Sequence, residues 1–492
     1  MYYFLMLHGI MCKKGACKMY ILYSQGEIKN FQTMLEKIIF SNDIKRLNNK
    51  TQLYSSDNGD HYRNRLTHTL EVVNISKTIA NQAEDVFQNI YKNVLNGSKV
   101  ISMDLVEAIA YAHDLGHTPF GHIGERTLQK ILKREDDLGG LIFDSKKTEP
   151  DEKKFNGWQS NIKKTSFFKH NVNSLKILLE NEVYDWRILD GVLKHTNISF
   201  DKCDPIPVDN LNWLKYILRG KNEKKLFDKY FGEKSQFVSN IPLTIEAQIV
   251  AISDEIAQVY SDLDDTLRYN KILKLSNMLK IENKSSSMRH NNKQLLVKIK
   301  ESLIKEVVDY FQELISNKLS QIKDEDDFKK TFLNNKENYF LFKKNQNEDE
   351  SIMKKISNSL NKKIDLTTKS TFYKVCFINQ LKITYALTTE KVRMSDAKAQ
   401  YIIRQLFKAY YNNPNLLNDK VLNFIEKEYY DLNEKEKKKL DDIIEEMKTI
   451  NSRCTDDYKT FLVGNVYIMA IANYIAKMTD DYALKEYKKN YL

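Results

Sequence analysis

Residues 66–87 read LTHTLEVVNISKTIANQAEDVF, and the spacing of their apolar side chains decides the fold class. Val72, Ile75 and Ile79 recur at three- and four-residue intervals, the period that stacks side chains on one face of an α-helix. The same period runs through DLVEAIAYAHDL, VNSLKILLENEV, IEAQIVAISDEIAQVYSDL and AQYIIRQLFKAYY, and few alternating strand patterns compete with it. With only 15 Gly and 6 Pro to punctuate 492 residues, the chain reads as long helices joined by polar loops, a mainly α protein. His68 shares the stripe of Val72, Ile75 and Ile79, so its ring points inward and needs a polar partner.

Candidate partners crowd into YAHDLGHTPFGHIGE, residues 111–125. Nine histidines occur in the whole chain, and five of them, at 61, 68, 113, 117 and 122, fall in one short segment. One such histidine alone is usually a hydrogen-bonded core residue, but five together call for chemistry. His113 and Asp114 follow the apolar run LVEAIAYA and precede Gly116 and Pro119, which places an imidazole and a carboxylate where a buried helix breaks. Far along the chain, Asp254 shares a helical stripe with Ala247, Val250, Ala251, Ala257 and Ser261, small neighbours that leave space around a carboxylate. A buried Asp is costly without a cation, and either an ordinary salt bridge or a metal held by two imidazoles and two carboxylates would serve. Mixed nitrogen and oxygen ligands suit Mn²⁺, Fe²⁺, Co²⁺, Zn²⁺ or Mg²⁺ without choosing among them.

The bulk numbers bound the remainder. A chain 42% apolar can bury a large core, and a net charge of +11 suits anionic partners without specifying one. Cysteines at 12, 17, 203, 376 and 454 form no Cys-x-x-Cys pair or disulfide framework, which points to a reducing cytoplasm. The apolar start MYYFLMLHGIM lacks a basic flank and a cleavage site, and MYILYSQGEI from Met19 looks more like a native beginning. TFLVGNVYIMAIANYIA, from Thr460, is too short and too polar to span a bilayer, so it is expected to be a buried helix in a protein without membrane contact. Charge and composition shift near residue 271 and mark a highly charged accessory region (271–395), after which a helical region (396–492) is expected to pack on the preceding core (41–270), itself preceded by an N-terminal segment (1–40).

In order along the chain, RLNNKTQLY, GDHYRNRLTHTLEV, AHDLGHTPFGHIGE, FKHNVNSLKIL, LDGVLKHT and EAQIVAISDEIAQVYSDLDD resemble the successive signatures of the HD-domain deoxynucleoside triphosphate triphosphohydrolases, the bacterial dGTPase group. LFKAYYNNPNLL and NYIAKMTDDYALKEY resemble its C-terminal signatures, leaving residues 271–399 outside the likeness. The resemblance implies an HD-domain helical fold that hydrolyses a dNTP to a deoxynucleoside and inorganic triphosphate. It implies that His68, His113, Asp114 and Asp254 hold a divalent metal, with Mn²⁺ first among the candidates. His117, His122 and Glu125 match residues lining the reaction site, with His122 as candidate acid and Glu125 within a helical turn to orient it. Gln52, Arg65 and Asp262 match positions that contact the nucleotide, and Gln258 stands where several relatives have Tyr, as Ser261 stands where His is frequent. Arg63 could join Arg65 in neutralising triphosphate or lie at the surface, and His170, Asn171 and His195 fall in signatures without an assigned role. Members of the group are commonly homo-oligomers, hexamers or tetramers, some with a regulatory nucleotide and some binding single-stranded DNA.

Two other readings compete. Other HD phosphohydrolases and phosphodiesterases share the metal ligands but not the KTQ, RLTHTLEV and HTPFGH signatures, and the Gly-Tyr-Pro signature of one such branch is absent. A basic nucleic-acid-binding protein with a silent HD fold would suit the charge but need not keep every ligand position filled.

Overall fold

A computed structural model describes residues 22–52, 63–136, 138–139, 159–160, 168–196, 242–269, 292–316, 322–333, 390–430, 432–449 and 465–492. The expected mainly α class is what it shows, since the strands among the described residues are two dipeptides, β1 (Gln159–Ser160) and β2 (Tyr429–Tyr430), paired antiparallel. Met1–Ile21, His61 and all five cysteines lie outside the described residues.

The first core is organised by the helix that opened the reading. Asn64 caps it, accepting from the Thr67 backbone N–H while Thr67 Oγ1 accepts from the Asn64 backbone N–H, so two otherwise orphaned donors are satisfied before the apolar stripe begins. α1 (Gln25–Ile39), α2 (Asn42–Arg46) and this helix, α3 (Arg65–Ile90), are followed by α4 (Lys92–Leu95) and α5 (Met103–Ala112). α3 buries His68, Val72, Ile75 and Ile79, as their shared stripe requires. Next come α6 (Gly121–Leu132), α7 (His170–Glu180), α8 (Trp186–Lys194) and α9 (Ile245–Tyr269). α9 packs along α3 and α5, and its start is pinned by the buried Glu246, which accepts from the Tyr23 hydroxyl and the Ser102 backbone N–H.

From the charged region, residues 292–333 supply α10 (Asn292–Ser316) and α11 (Glu325–Leu333), which join the first core. Leu303, Val307 and Phe311 are buried there, and Phe311 meets Phe87 edge to face at 5.2 Å. A high charge content on the outer face of an amphipathic helix had masked its apolar face in the composition.

A second core gathers α12 (Glu390–Asn412), α13 (Asp419–Glu428), α14 (Glu434–Lys448), α15 (Asn465–Ala476) and α16 (Asp480–Tyr491). The apolar run expected to be a buried helix is α15, with Val466 through Ala472 all buried. No helix among the described residues is long and apolar enough to cross a membrane. α6 belongs to the second core through Leu128, Ile131 and Leu132, as does Phe120 just before it, whereas Leu115 earlier in the same turn lies in the first. The site lies where these two cores meet.

Candidate metal centre and the histidine cluster beside it

Three helices of the first core bring the four expected ligands together. His68 lies in the first turns of α3, His113 and Asp114 follow the last turn of α5, and Asp254 sits midway along α9. His68 Nε2 is 3.0 Å from Asp254 Oδ1, and His113 Nε2 is 3.7 Å from both Asp254 Oδ1 and Asp114 Oδ2. The Nδ1 of His113 lies 2.7 Å from the Ala110 carbonyl, which can only accept, so the proton belongs on Nδ1 and the lone pair on Nε2. That buried Nε2 has no hydrogen-bond partner among the described residues. A buried lone pair aimed between two carboxylates suits a cation, and the set of two imidazoles and two carboxylates fits a divalent transition metal.

Asp114 is held from both sides: Arg65 Nη1 donates to Oδ2 at 2.7 Å, and His117 Nε2 lies 3.0 Å from Oδ1. Burial alone would raise this carboxyl, but His117, His113 and Arg65 outweigh it and keep Asp114 ionised, well below the usual carboxylate range. Asp254 is lowered too, against the effect of burial, by its hydrogen bond to His68 and the field of His113. For His68, burial pulls the pKa down while the bond to Asp254 wins and raises it. His68 and Asp254 thus hold each other in place through this contact.

The turn from His113 to Gly121 delivers the second group. Gly116 is pressed against α7: a Cβ there would stand 2.1 Å from the His170 carbonyl oxygen, and its N–H donates to Ser174 Oγ at 2.8 Å. Phe120 and Gly121 both adopt the left-handed conformation, with φ of 61° and 60°. A Cβ on Gly121 would meet Arg65 Nη2 at 2.7 Å, so glycine is needed for conformation and for space. His122 and Glu125 then emerge on the first turn of α6.

Glu125 is not oriented toward His122 as the three-residue spacing suggested. It accepts from His170, with Nδ1 at 2.6 Å and the backbone N–H at 3.2 Å. The His170 ring stacks on His117 at 3.9 Å, and His122 meets both rings edge-on at 4.9 and 5.5 Å. Burial would raise Glu125, but His170 and its hydrogen bonds bring it down to about 2. His122 is the exposed member of the cluster. The protein packed around its ring, then His170 and Arg65, push it down to about 4, so at neutral pH it is uncharged in the free chain. His195 lies behind, buried, with Nδ1 2.7 Å from the Val192 carbonyl, and burial and His113 hold it to about 4.

Arg63, read as either a triphosphate contact or a surface residue, is engaged by three carboxylates. Its guanidinium is committed to Glu71, Asp264 and Asp265 at 2.8, 2.9 and 2.6 Å. Arg65 is buried and ion-paired with Asp114, one of the expected ligands. Gln258 is half-buried one turn beyond Asp254, and Asp262, a further turn on, is buried. Gln52 presents a buried Oε1 without a donor among the described residues. Sequence reasoning missed the pairing of His170 with Glu125, as well as Lys50, whose buried ammonium donates to the His117 carbonyl. It also missed Asp480, which accepts from Thr51 and Phe120 backbone N–H groups. The signal for Asp480 was slight, a carboxylate in a C-terminal signature, because its partners are backbone atoms.

The helical fold and the His/His-Asp/Asp cluster define an HD-domain phosphohydrolase, and residues 65–258 match the HD domain family. The chain is 30% identical over 477 residues to a deoxyguanosinetriphosphate triphosphohydrolase-like protein of Rickettsia felis, covering 93% of this chain and 91% of that one. Proteins of the same name from Rickettsia bellii and Caldanaerobacter subterraneus subsp. tengcongensis are each 32% identical, over 51% and 50% of this chain and 50% and 48% of theirs. The chain belongs to this deoxyguanosinetriphosphate triphosphohydrolase-like group of HD-domain hydrolases. The likeness to the Rickettsia felis protein runs through the charged middle region that the sequence signatures had left out.

Proposed function

We propose that the protein is a metal-dependent dNTP triphosphohydrolase. Water attacks the α-phosphorus, the bond to the 5′ oxygen breaks, and a deoxynucleoside and inorganic triphosphate leave. The observation that carries this reading is the unpaired His113 Nε2 set between Asp114 and Asp254, with the His122, Glu125 and His170 cluster alongside. His68, His113, Asp114 and Asp254 would hold the cation, Mn²⁺ foremost, which when bound polarises phosphate and acidifies water.

The chain's own residues divide the remaining work. Arg65 and His117 fix the two oxygens of Asp114, keeping that carboxylate ionised and aligned. The departing 5′ oxygen needs a proton, and His122 is the exposed imidazole placed to give it. It is neutral in the free chain, so the charge of the incoming triphosphate is what raises its pKa and loads it. Glu125, ionised and hydrogen-bonded to His170, holds that ring against His117. Gln258 and Asp262, following Asp254 at one-turn intervals on α9, would bound the sugar. A pocket closed around deoxyribose leaves a 2′ hydroxyl without space or partner, so ribonucleotides should be poor substrates.

Incubation with each dNTP, singly and in pairs, with Mn²⁺, Mg²⁺ or Co²⁺ tests the proposal through release of intact triphosphate. Pyrophosphate or orthophosphate as the first product would assign the chain to another HD chemistry. Equal kcat/KM for GTP and dGTP would remove the sugar argument. The paired nucleotides also test a regulatory nucleotide site, and sizing the same samples tests the proposed homo-oligomer.

A further inference from the structure

We infer that Asp480 is a positioning residue that locks the substrate-side segment Lys50–Gln52 to the turn carrying His117 and His122. The inference rests on the triphosphohydrolase reading for its kinetic consequence and on geometry alone for the lock. Asp480 opens α16 in the second core, yet both of its carboxylate oxygens face the site: Oδ2 accepts from the Thr51 N–H at 2.8 Å and Oδ1 from the Phe120 N–H at 2.8 Å. Those residues are 429 and 360 positions away, so this is a long-range closure and no ordinary helix cap. The cap of α16 is Thr479, whose hydroxyl accepts from the Tyr482 N–H.

Three neighbouring features agree. Phe120 holds a left-handed backbone that a bulky residue seldom adopts, and its N–H is the one Asp480 takes. Lys50, between the same two segments, is buried, donates to the His117 carbonyl, and finds in Asp480 its strongest neighbouring negative charge. Lys50 also accepts the Arg65 N–H on its carbonyl at 2.9 Å, which carries the lock to the start of α3. A single carboxylate from the second core thus joins the segment bearing Gln52 to the turn bearing His122, touching none of the four metal ligands.

Full-length, metal-loaded Asp480→Ala, Asp480→Asn and Asp481→Asn proteins test this. Asp481 is exposed in the same first turn, so its neutralisation removes an equal charge from the helix terminus without touching the loops. Asp480→Ala is expected to raise hydrogen exchange at the Thr51 and Phe120 amides at least tenfold, leave α3 amides near His68 protected, keep metal stoichiometry, and lower kcat at least tenfold. Asp480→Asn, which keeps one acceptor oxygen, should fall between, and Asp481→Asn should match the parent. Unchanged exchange at both amides, or unchanged kcat and KM in a folded Asp480→Ala or Asp480→Asn protein, overturns the inference. A fall in melting temperature with uniform loss of protection and normal kcat overturns it as well, because that is a purely structural role. If the parent releases no triphosphate from any dNTP, the functional proposal fails, and the exchange measurement alone decides the lock.

Discussion

The Nε2 atom of His113 is buried and flanked by two carboxylates, a setting that costs about 1–3 kcal/mol unless something joins it. Asp254 supplies one of those carboxylates from a helix far along the chain, so its loss should break the shell from the side. Asp254→Ala is expected to lose bound metal and turnover together, as measured by elemental analysis and product release. Full metal occupancy in that variant would show the ligand set to be wrong. His122 and Glu125 separate differently from each other. His122 is exposed, so His122→Ala should keep metal content and melting temperature while lowering kcat by roughly a hundredfold, the scale of lost acid catalysis. Glu125→Ala strips the buried His170 of its side-chain and backbone acceptor, and stability should fall by about 1–3 kcal/mol along with activity. A destabilised but active His122→Ala protein would return that histidine to a structural role. The juxtaposition of His68, His113, Asp114 and Asp254 was legible in the sequence because His68 and Asp254 share helical stripes with apolar neighbours and His113 and Asp114 follow the end of an apolar helix. The Glu125–His170 pair was not, because it joins two helices and no spacing records it.

At the scale of elements, α6 carries the division of labour. Its first turn presents His122 to the His117 and His170 rings and Glu125 to His170, while Leu128, Ile131 and Leu132 fasten its far end into the second core. The turn that aims it depends on Gly121, whose positive φ and contact with Arg65 leave no space for a side chain. Gly121→Ala should therefore destabilise by more than about 1 kcal/mol and push Arg65 off Asp114. The reading is a weaker metal affinity, by isothermal titration, in a variant that retains all four ligands. Unaltered affinity would mean that Arg65 does not tune Asp114. Helix periods foretold α3, α5, α7, α9 and α12 by their apolar stripes. The same periods gave no hint that α10 packs on α3, since sequence pattern shows which face is apolar and not what it meets.

Across the whole molecule, the clustering of buried imidazoles sets how stability responds to acid. Burial keeps His117 far below its ordinary range and holds His195 and His122 to about 4, against 6.5 in an unfolded chain. Between these values the unfolded chain binds more protons than the folded one, so stability rises with pH. This contribution is fully present above about pH 6.5 and is lost as the pH falls toward 4. His195 is fully buried and accounts for on the order of 3 kcal/mol across that window, whereas solvent screens the exposed His122. His68 runs the other way: its pKa is raised by Asp254, so its contribution is present below pH 6.5 and lost as pH rises through the folded value. Three depressed imidazoles against one raised give a net loss on acidification. Glu125, lowered to about 2 from 4.5, adds its own loss only below pH 4.5. The metal-free protein, stripped with chelator, is thus expected to melt at progressively lower temperature from pH 6.5 to pH 4. Added Mn²⁺ should raise the curve wherever it binds the folded chain in preference to the unfolded one. A melting temperature that is flat or rises on acidification would mean that His117 and His195 are not buried as neutral imidazoles.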